Sequence, residues 1–256
     1  MQSIRIVGIL LFSLITTLSK AQSIADKLHW SLHYTVFADM IWSPLVMEYA
    51  PTGNTIIQDG QEVAEYREIP VQSFINNVLS GGVEVRYNLT EFNDDQALAL
   101  SVPISFGIGH VTQPPNISGK NHHVANAPGY GSFQLPVMAK LYFGAGATSE
   151  STSYTGFSLG FGIEFNKLGV VQFQQQSDVP APSGRSNFVI PVGSLSYHVI
   201  QGRRPAEFRI KYGRGPLTEY FIDKYGNPIL NDRGIVSKGI ARAQSISFSF
   251  VYPLTD

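Results

Sequence analysis

The chain has 256 residues, 18 Lys plus Arg against 19 Asp plus Glu, a formal net charge of -1, 43% hydrophobic and only 14% charged residues, and no Cys. Without a basic cluster to displace counterions it offers no nucleic-acid surface, and without thiols it has neither a disulfide framework nor a thiolate metal site. The charged fraction lies well below the roughly 25% of ordinary soluble domains, while aromatics reach 12% and glycines number 24.

The first segment is apolar. Arg5 precedes an almost unbroken run from Ile6 to Leu18, and Ser19-Lys20-Ala21-Gln22 supplies a small-residue exit. This pattern predicts a signal peptide over 1–22, with 23–256 forming the mature domain. An uncleaved anchor is the bland alternative, but the run is shorter than the roughly 20 residues a spanning helix needs.

The remainder reads as strands. Eight extended segments are predicted near 28–38, 78–90, 96–109, 132–144, 153–165, 187–199, 206–214 and 244–254. Strict alternation carries the reading, because successive side chains on a strand point to opposite faces. Leu98, Leu100, Val102, Ile104, Phe106 and Ile108 form one apolar series, and Phe157, Leu159, Phe161, Ile163 and Phe165 another. Phe133, Leu135, Val137, Ala139, Leu141 and Phe143 alternate with Gln134, Met138, Lys140 and Tyr142. Connections near 39–77, 110–131, 166–186 and 215–243 are long, whereas those near 91–95, 145–152 and 200–205 are short. An up-and-down transmembrane barrel sorts its loops in this way, with both chain ends on the short-turn side, and a soluble sandwich has no reason to. Two long connections carry hairpin signals of their own, around Asp59-Gly60 and across Tyr220 to Val236. A ten-stranded count that absorbs one of them stays open beside the count of eight, as does a secreted soluble β-sandwich.

The faces assign the residues. The apolar face meets lipid and the polar face the lumen in such a barrel. Glu84, Arg86, Lys140, Glu164, Arg209 and Lys211 are therefore expected inside, as a paired ion network plugging a narrow lumen filled otherwise by Gly and Ser. Trp30, Trp42 and Tyr252, with Tyr49, are expected in aromatic girdles at the bilayer surfaces. Pro103, Pro136 and Pro191 interrupt predicted strands, and because proline removes a ladder donor they are expected at bulges or strand ends, Pro136 and Pro191 near the outer rim.

The stretch from Phe133 to Phe143 resembles the aromatic-bounded Leu-Pro strand of the small outer-membrane β-barrel family of Bacteroidota-type Gram-negative bacteria. The Lys20-Ala21-Gln22 exit is similar to the exported proteins of that group. The resemblance extends loosely over 28–254 and implies an OmpA-like or OmpX-like transmembrane barrel, located in the cell outer membrane, with no catalytic residues. Ile246, Phe248, Phe250 and Tyr252 resemble the C-terminal strand recognised by barrel-assembly machinery, although Pro253-Leu254-Thr255-Asp256 follow here.

Sites for chemistry are few. His122-His123 are adjacent, so on an extended chain they point apart and suit a metal poorly. No His-Glu-x-x-His, phosphate-loop, Gly-x-Ser-x-Gly or EF-hand pattern occurs, and no cofactor or metal is expected. His33, Ser31 and Glu164 are the one conceivable hydrolase set. Sequons stand at Asn88 and Asn116. The expected function is a structural or surface-interaction barrel without catalysis, contacting outer-membrane lipid and a surface partner through its long loops. A narrow, porin-like channel or small-ligand transporter and a lipid-modifying enzyme are the alternatives.

Overall fold

The computed structural model describes residues 27–112, 129–171, 185–201, 204–223, 228–229 and 235–254. The candidate signal segment 1–22, the His122-His123 pair and the Asn116 sequon lie outside these residues, as does the side chain of Tyr49. The strands are β1 (Leu28–Trp42), β2 (Val46–Gln58), β3 (Gln61–Val71), β4 (Phe74–Asn93), β5 (Gln96–Thr112), β6 (Tyr130–Gly144), β7 (Thr155–Val171), β8 (Asn187–Gln201), β9 (Arg204–Asp223), β10 (Pro228–Ile229) and β11 (Ile235–Pro253).

Eight of them close a ring. The neighbours run β9-β11-β1-β4-β5-β6-β7-β8, and β8 pairs back onto β9, every contact antiparallel. β2 and β3 form a separate two-stranded sheet, and β10 adds only two positions beside β9. The predicted hairpin around Asp59-Gly60 thus exists outside the wall, and the count of eight holds over ten. Asp59 and Gly60 both have positive φ, 53° and 80°, as the tight turn of a two-residue hairpin demands.

The stagger of the ring follows from its register. A row of directly opposed residues passes from Phe143 on β6 through Phe157, Tyr197, Phe208, Phe250, Tyr34, Gly81 and Phe106, and returns to β6 at Phe133, ten residues from its start. With about 3.3 Å per residue along a strand and about 4.8 Å between strands, that stagger tilts the strands by about 40°. All these side chains but Gly81 are aromatic, so the row is an oblique aromatic stripe wound once around the exterior. Phe143 stacks on Phe157 at 4.7 Å, Phe208 meets Phe250 edge-on at 4.6 Å, and Tyr34 stacks on Phe250 at 5.5 Å.

Both barrel ends of the chain lie together, since Leu254 N donates to Trp30 O at 2.7 Å. The ends of β4, β6 and β8 share that end with the starts of β5, β7 and β9, and the ends of β1, β5, β7 and β9 lie at the other. The outward series Leu98 to Ile108 and Phe157 to Phe165 are exposed or half-buried, while the alternate side chains are buried inside the ring. A closed ring with an apolar exterior leaves no open edge to lipid, so the architecture is that of a transmembrane β-barrel.

The prolines depart from expectation. Pro103 and Pro136 sit in mid-strand, not at bulges, strand ends or the outer rim. Between Ser101↔Met138 and Ser105↔Gln134 the β5/β6 ladder has no paired positions, yet its register is unchanged, which sets Pro103 directly opposite Pro136. Both remain paired on their other sides, to Glu84 and Glu164. Two prolines therefore face one another across a single seam, where each lacks the N–H the other's carbonyl would accept. Pro191 does lie at a limit of pairing, because the β8/β9 ladder stops at Val192↔Gly213. The bulge in this region belongs instead to β1, which gains residues between Val36 and Asp39 around Phe37 at φ 56°. That bulge turns Phe37 outward, the strand runs on to Trp42, and Asp39 keeps the inward side of His33 and Thr35, 1% exposed.

Candidate functional site

The lumen is the site, and it is layered. Its middle holds two networks. In the first, Arg209 Nε donates to Glu207 Oε1 at 2.7 Å, and Lys140 Nζ reaches the same oxygen at 2.9 Å. Arg209 Nη2 also lies 2.7 Å from Glu84 Oε2 as an ion pair off the hydrogen-bond axis, and Ser101 Oγ donates to Glu84 Oε1 at 2.6 Å. Lys140 crosses the interior from β6 because β7 offers Gly160 beneath it, where a Cβ would stand 2.8 Å from Lys140 Cγ.

In the second network Lys211 pairs with Glu164 and donates to Gln134 Oε1. Gln134 Nε2 turns to Asp39, 2.8 Å and 2.9 Å from its two oxygens, and Asn77 Nδ2 donates to Asp39 Oδ2 at 2.6 Å. Glu164 Oε1 also accepts from Ser245 Oγ at 2.7 Å and Asn166 Nδ2 at 3.0 Å. The inward carboxylates Glu84, Glu164 and Glu207 are each paired with a cation, from Arg209, Lys211 and Lys140, while Asp39 is held by the amides of Gln134 and Asn77. Such pairing is what makes charge tolerable away from water.

The short-turn mouth is closed by chain. The segment 145–154 between β6 and β7 folds into it, with Ala145 and Ala147 buried. Arg86 Nη1 donates to Gly146 O at 2.7 Å and Asn88 Nδ2 to Ala147 O at 3.2 Å. The Arg86 guanidinium lies 4.4 Å from the centre of the Tyr142 ring, over which it stacks. From outside, Ser151 Oγ and Ser153 Oγ donate to Asp95 Oδ1 at 2.6 Å and 2.9 Å. The Ser151 bond first, then that from Ser153, holds the Asp95 carboxyl below the ordinary carboxylate range.

Towards the long-loop end the interior is apolar. Ile41, Ile75, Val111, Met138, Leu168, Phe188, Ile190, Val192 and Ala243 pack into one buried cluster. The expectation of Gly and Ser around charge did not include this hydrocarbon, which adjoins a lumen otherwise rich in buried serines such as Ser101, Ser158 and Ser245. Among the charges lies a polar cavity of about 20 Å³, bordered by His33, Ser105, Pro103, Pro136, Arg209 and Lys211 among others.

The expected lumen residues Glu84, Arg86, Lys140, Glu164, Arg209 and Lys211 all turn inward, Arg86 half-buried and the rest buried. The structure adds Asp39, Gln134 and Glu207. Glu207 was findable, since it continues the Glu207, Arg209, Lys211 alternation. Trp30 and Tyr252 are exposed on the exterior near the short-turn end, and Trp42 stands at the opposite end against Phe74, ring centres 4.7 Å apart. With the tilt and bulge, the span from Trp30 to Trp42 is roughly 25–30 Å, the height of an apolar belt.

His33, Ser31 and Glu164 do not assemble. His33 Nε2 meets Ser105 Oγ at 2.7 Å, and Glu164 is engaged by Lys211, Ser245 and Asn166. A second pair, His198 Nε2 with Ser158 Oγ at 3.1 Å, also faces inward. Among the described residues no group of three His, Cys, Asp or Glu could hold a metal ion.

No family model and no curated protein matches the sequence. Among solved structures, the outer membrane protein OprG from Pseudomonas aeruginosa is similar with a TM-score of 0.35 and 11% identity, over 89% of this chain and 96% of that one. A Pseudomonas aeruginosa FadL homologue is similar with a TM-score of 0.20 and 10% identity, over 88% and 89% of the two chains.

Proposed function

We propose that this chain is an outer-membrane β-barrel whose lumen is a plug, whose working surface is the long-loop end, and which performs no catalysis. The supporting observation is the buried ion pairs of the lumen, sealed beneath by 145–154 and above by the apolar cluster. Eight strands leave an interior that side chains can fill. The hairpin of β2 and β3 and the extension of β9 with β11 rise beyond the ring and present loops to a surface partner. Outer-membrane lipid surrounds the belt, and the C-terminal strand is the segment assembly machinery would engage.

Planar-bilayer recording of the refolded protein tests the plug. The expected result is no steady conductance, and a large, stable conductance overturns it. Heat-modifiable gel migration together with recovery in the outer-membrane fraction tests the location.

A second reading, a narrow channel or small-ligand transporter, is favoured by the two interruptions of the wall, the Pro103/Pro136 seam and the end of β8/β9 pairing at Val192. Its mark would be solute uptake that a cysteine cross-link between β5 and β6 abolishes.

A further inference from the structure

We infer that the seam between β5 and β6 is a built water site, in which one ordered water joins the Pro103 and Pro136 carbonyls and seals the wall. Facing residues of an antiparallel hydrogen-bonded pair exchange two N–H···O=C bonds. The loss of pairing at three consecutive positions, 102 to 104 against 135 to 137, with the register intact on both sides, is the pattern left when both donors of one such pair are removed. The carbonyls at that pair then lack their ladder donors, and a buried backbone carbonyl in a wall facing lipid requires one.

The second observation is the cavity behind the seam. Both prolines and His33 border it, and its volume of about 20 Å³ suits a single water. His33 is 7% exposed; Ser105 occupies its Nε2 at 2.7 Å, and its Nδ1 has no partner. In the tautomer where Ser105 donates to Nε2, Nδ1 carries the proton and serves as donor. The water then gives one hydrogen to each carbonyl and accepts one from His33, three bonds being the usual complement of a buried water. Gly82 stands between His33 and Ser105 in the register, and because a Cβ there would fall 1.8 Å from Ile104 O, only glycine lets β4 and β5 approach this closely beside the site.

The site is independent of whether the lumen conducts. A crystal structure of the intact barrel at a resolution that shows waters tests it directly, the expected result being a full-occupancy water within hydrogen-bond distance of both carbonyls and of His33 Nδ1. Protein donors on those carbonyls, or lipid in the seam, overturn it. Replacing both residues, Pro103→Ala with Pro136→Ala, restores two donors at this pair. Hydrogen exchange at 103 and 136 in the folded variant is then expected to slow to the rate of their ladder neighbours, and the heat-modifiable band to persist to higher temperature. Fast exchange at both amides would show that the missing donors are not what opens the seam, and the inference fails.

Discussion

The two halves of the lumen reach the same end by different physics. Around Arg209 the interior is closed by charge, Glu84, Glu164 and Glu207 each held by a cation and Asp39 by the neutral donors Gln134 and Asn77. Around Ile190 it is closed by hydrocarbon, and that side chain packs where Gly213 and Gly215 leave room. A charge network is exacting, since every member must be present and aligned, and removing one strands its partner. An apolar cluster is graded, since it loses contact in proportion to volume removed. The halves should therefore fail differently.

The largest effect is expected at Arg209, which serves both Glu84 and Glu207. Arg209→Met leaves Glu84 buried with Ser101 alone, and breaking a buried pair in this way costs about 3–5 kcal/mol. Denaturant unfolding in micelles, followed through Trp30 and Trp42, is the measurement. Adding Glu84→Gln removes the stranded charge while Lys140 still answers Glu207, so the double variant should recover most of the loss. Recovery absent in the double variant would mean that Arg209 acts by packing, and the contrast between the halves would narrow.

Ile190→Ala comes next, with a cost of about 2–4 kcal/mol for a large side chain removed from a packed cluster. Its distinguishing mark is chemical. A volume-conserving change, Ile190→Leu, should restore most of the stability, whereas Arg209→Lys should not restore the charged half, because an ammonium cannot hold two carboxylates in the guanidinium's fork. A loss at Ile190 that conservative replacement failed to repair would assign that half a more specific role than filling.

The same contrast explains what could be read from the residues. The wall was legible because lipid outside and charge inside impose a strict two-residue period, as in Phe157 to Phe165 against Ser158 to Glu164. The outer half was not, because there the interior is apolar too: Phe188-Val189-Ile190-Pro191-Val192 has no alternation to assign its faces. Asp39 was hidden because the bulge turns Phe37 outward although it shares the parity of His33, Thr35 and Asp39, so the alternation reads as ending before Asp39. The seam was hidden because each proline looks like an isolated defect until the register sets Pro103 against Pro136. The segment 145–154 reads as a turn, and the burial of its first part, Ala145 to Thr148, goes with Arg86 and Asn88, which reach the carbonyls of 146 and 147 from another strand.

The smallest effect is expected at the short-turn mouth, where charge acts from the exposed side. Asp95 is held below the ordinary carboxylate range by its bonds from Ser151 and Ser153. A carboxyl whose folded-state pKa is depressed lends its stabilisation in full above the unfolded value, about 3.9, and loses it as the pH falls through the folded value. The mouth should therefore be equally protected from neutral pH down to about 5 and begin to loosen below about 4. Hydrogen exchange over 144–154, corrected for intrinsic rates, reads this directly. Asp95→Asn keeps one acceptor oxygen but no charge, so its segment should exchange somewhat faster than the parent near neutrality and show no acid step. The buried halves supply the control, since amides beside Ile190 should hold their protection through the same interval. An acid step that survives Asp95→Asn would move the sensitivity from this turn into the charged half above it.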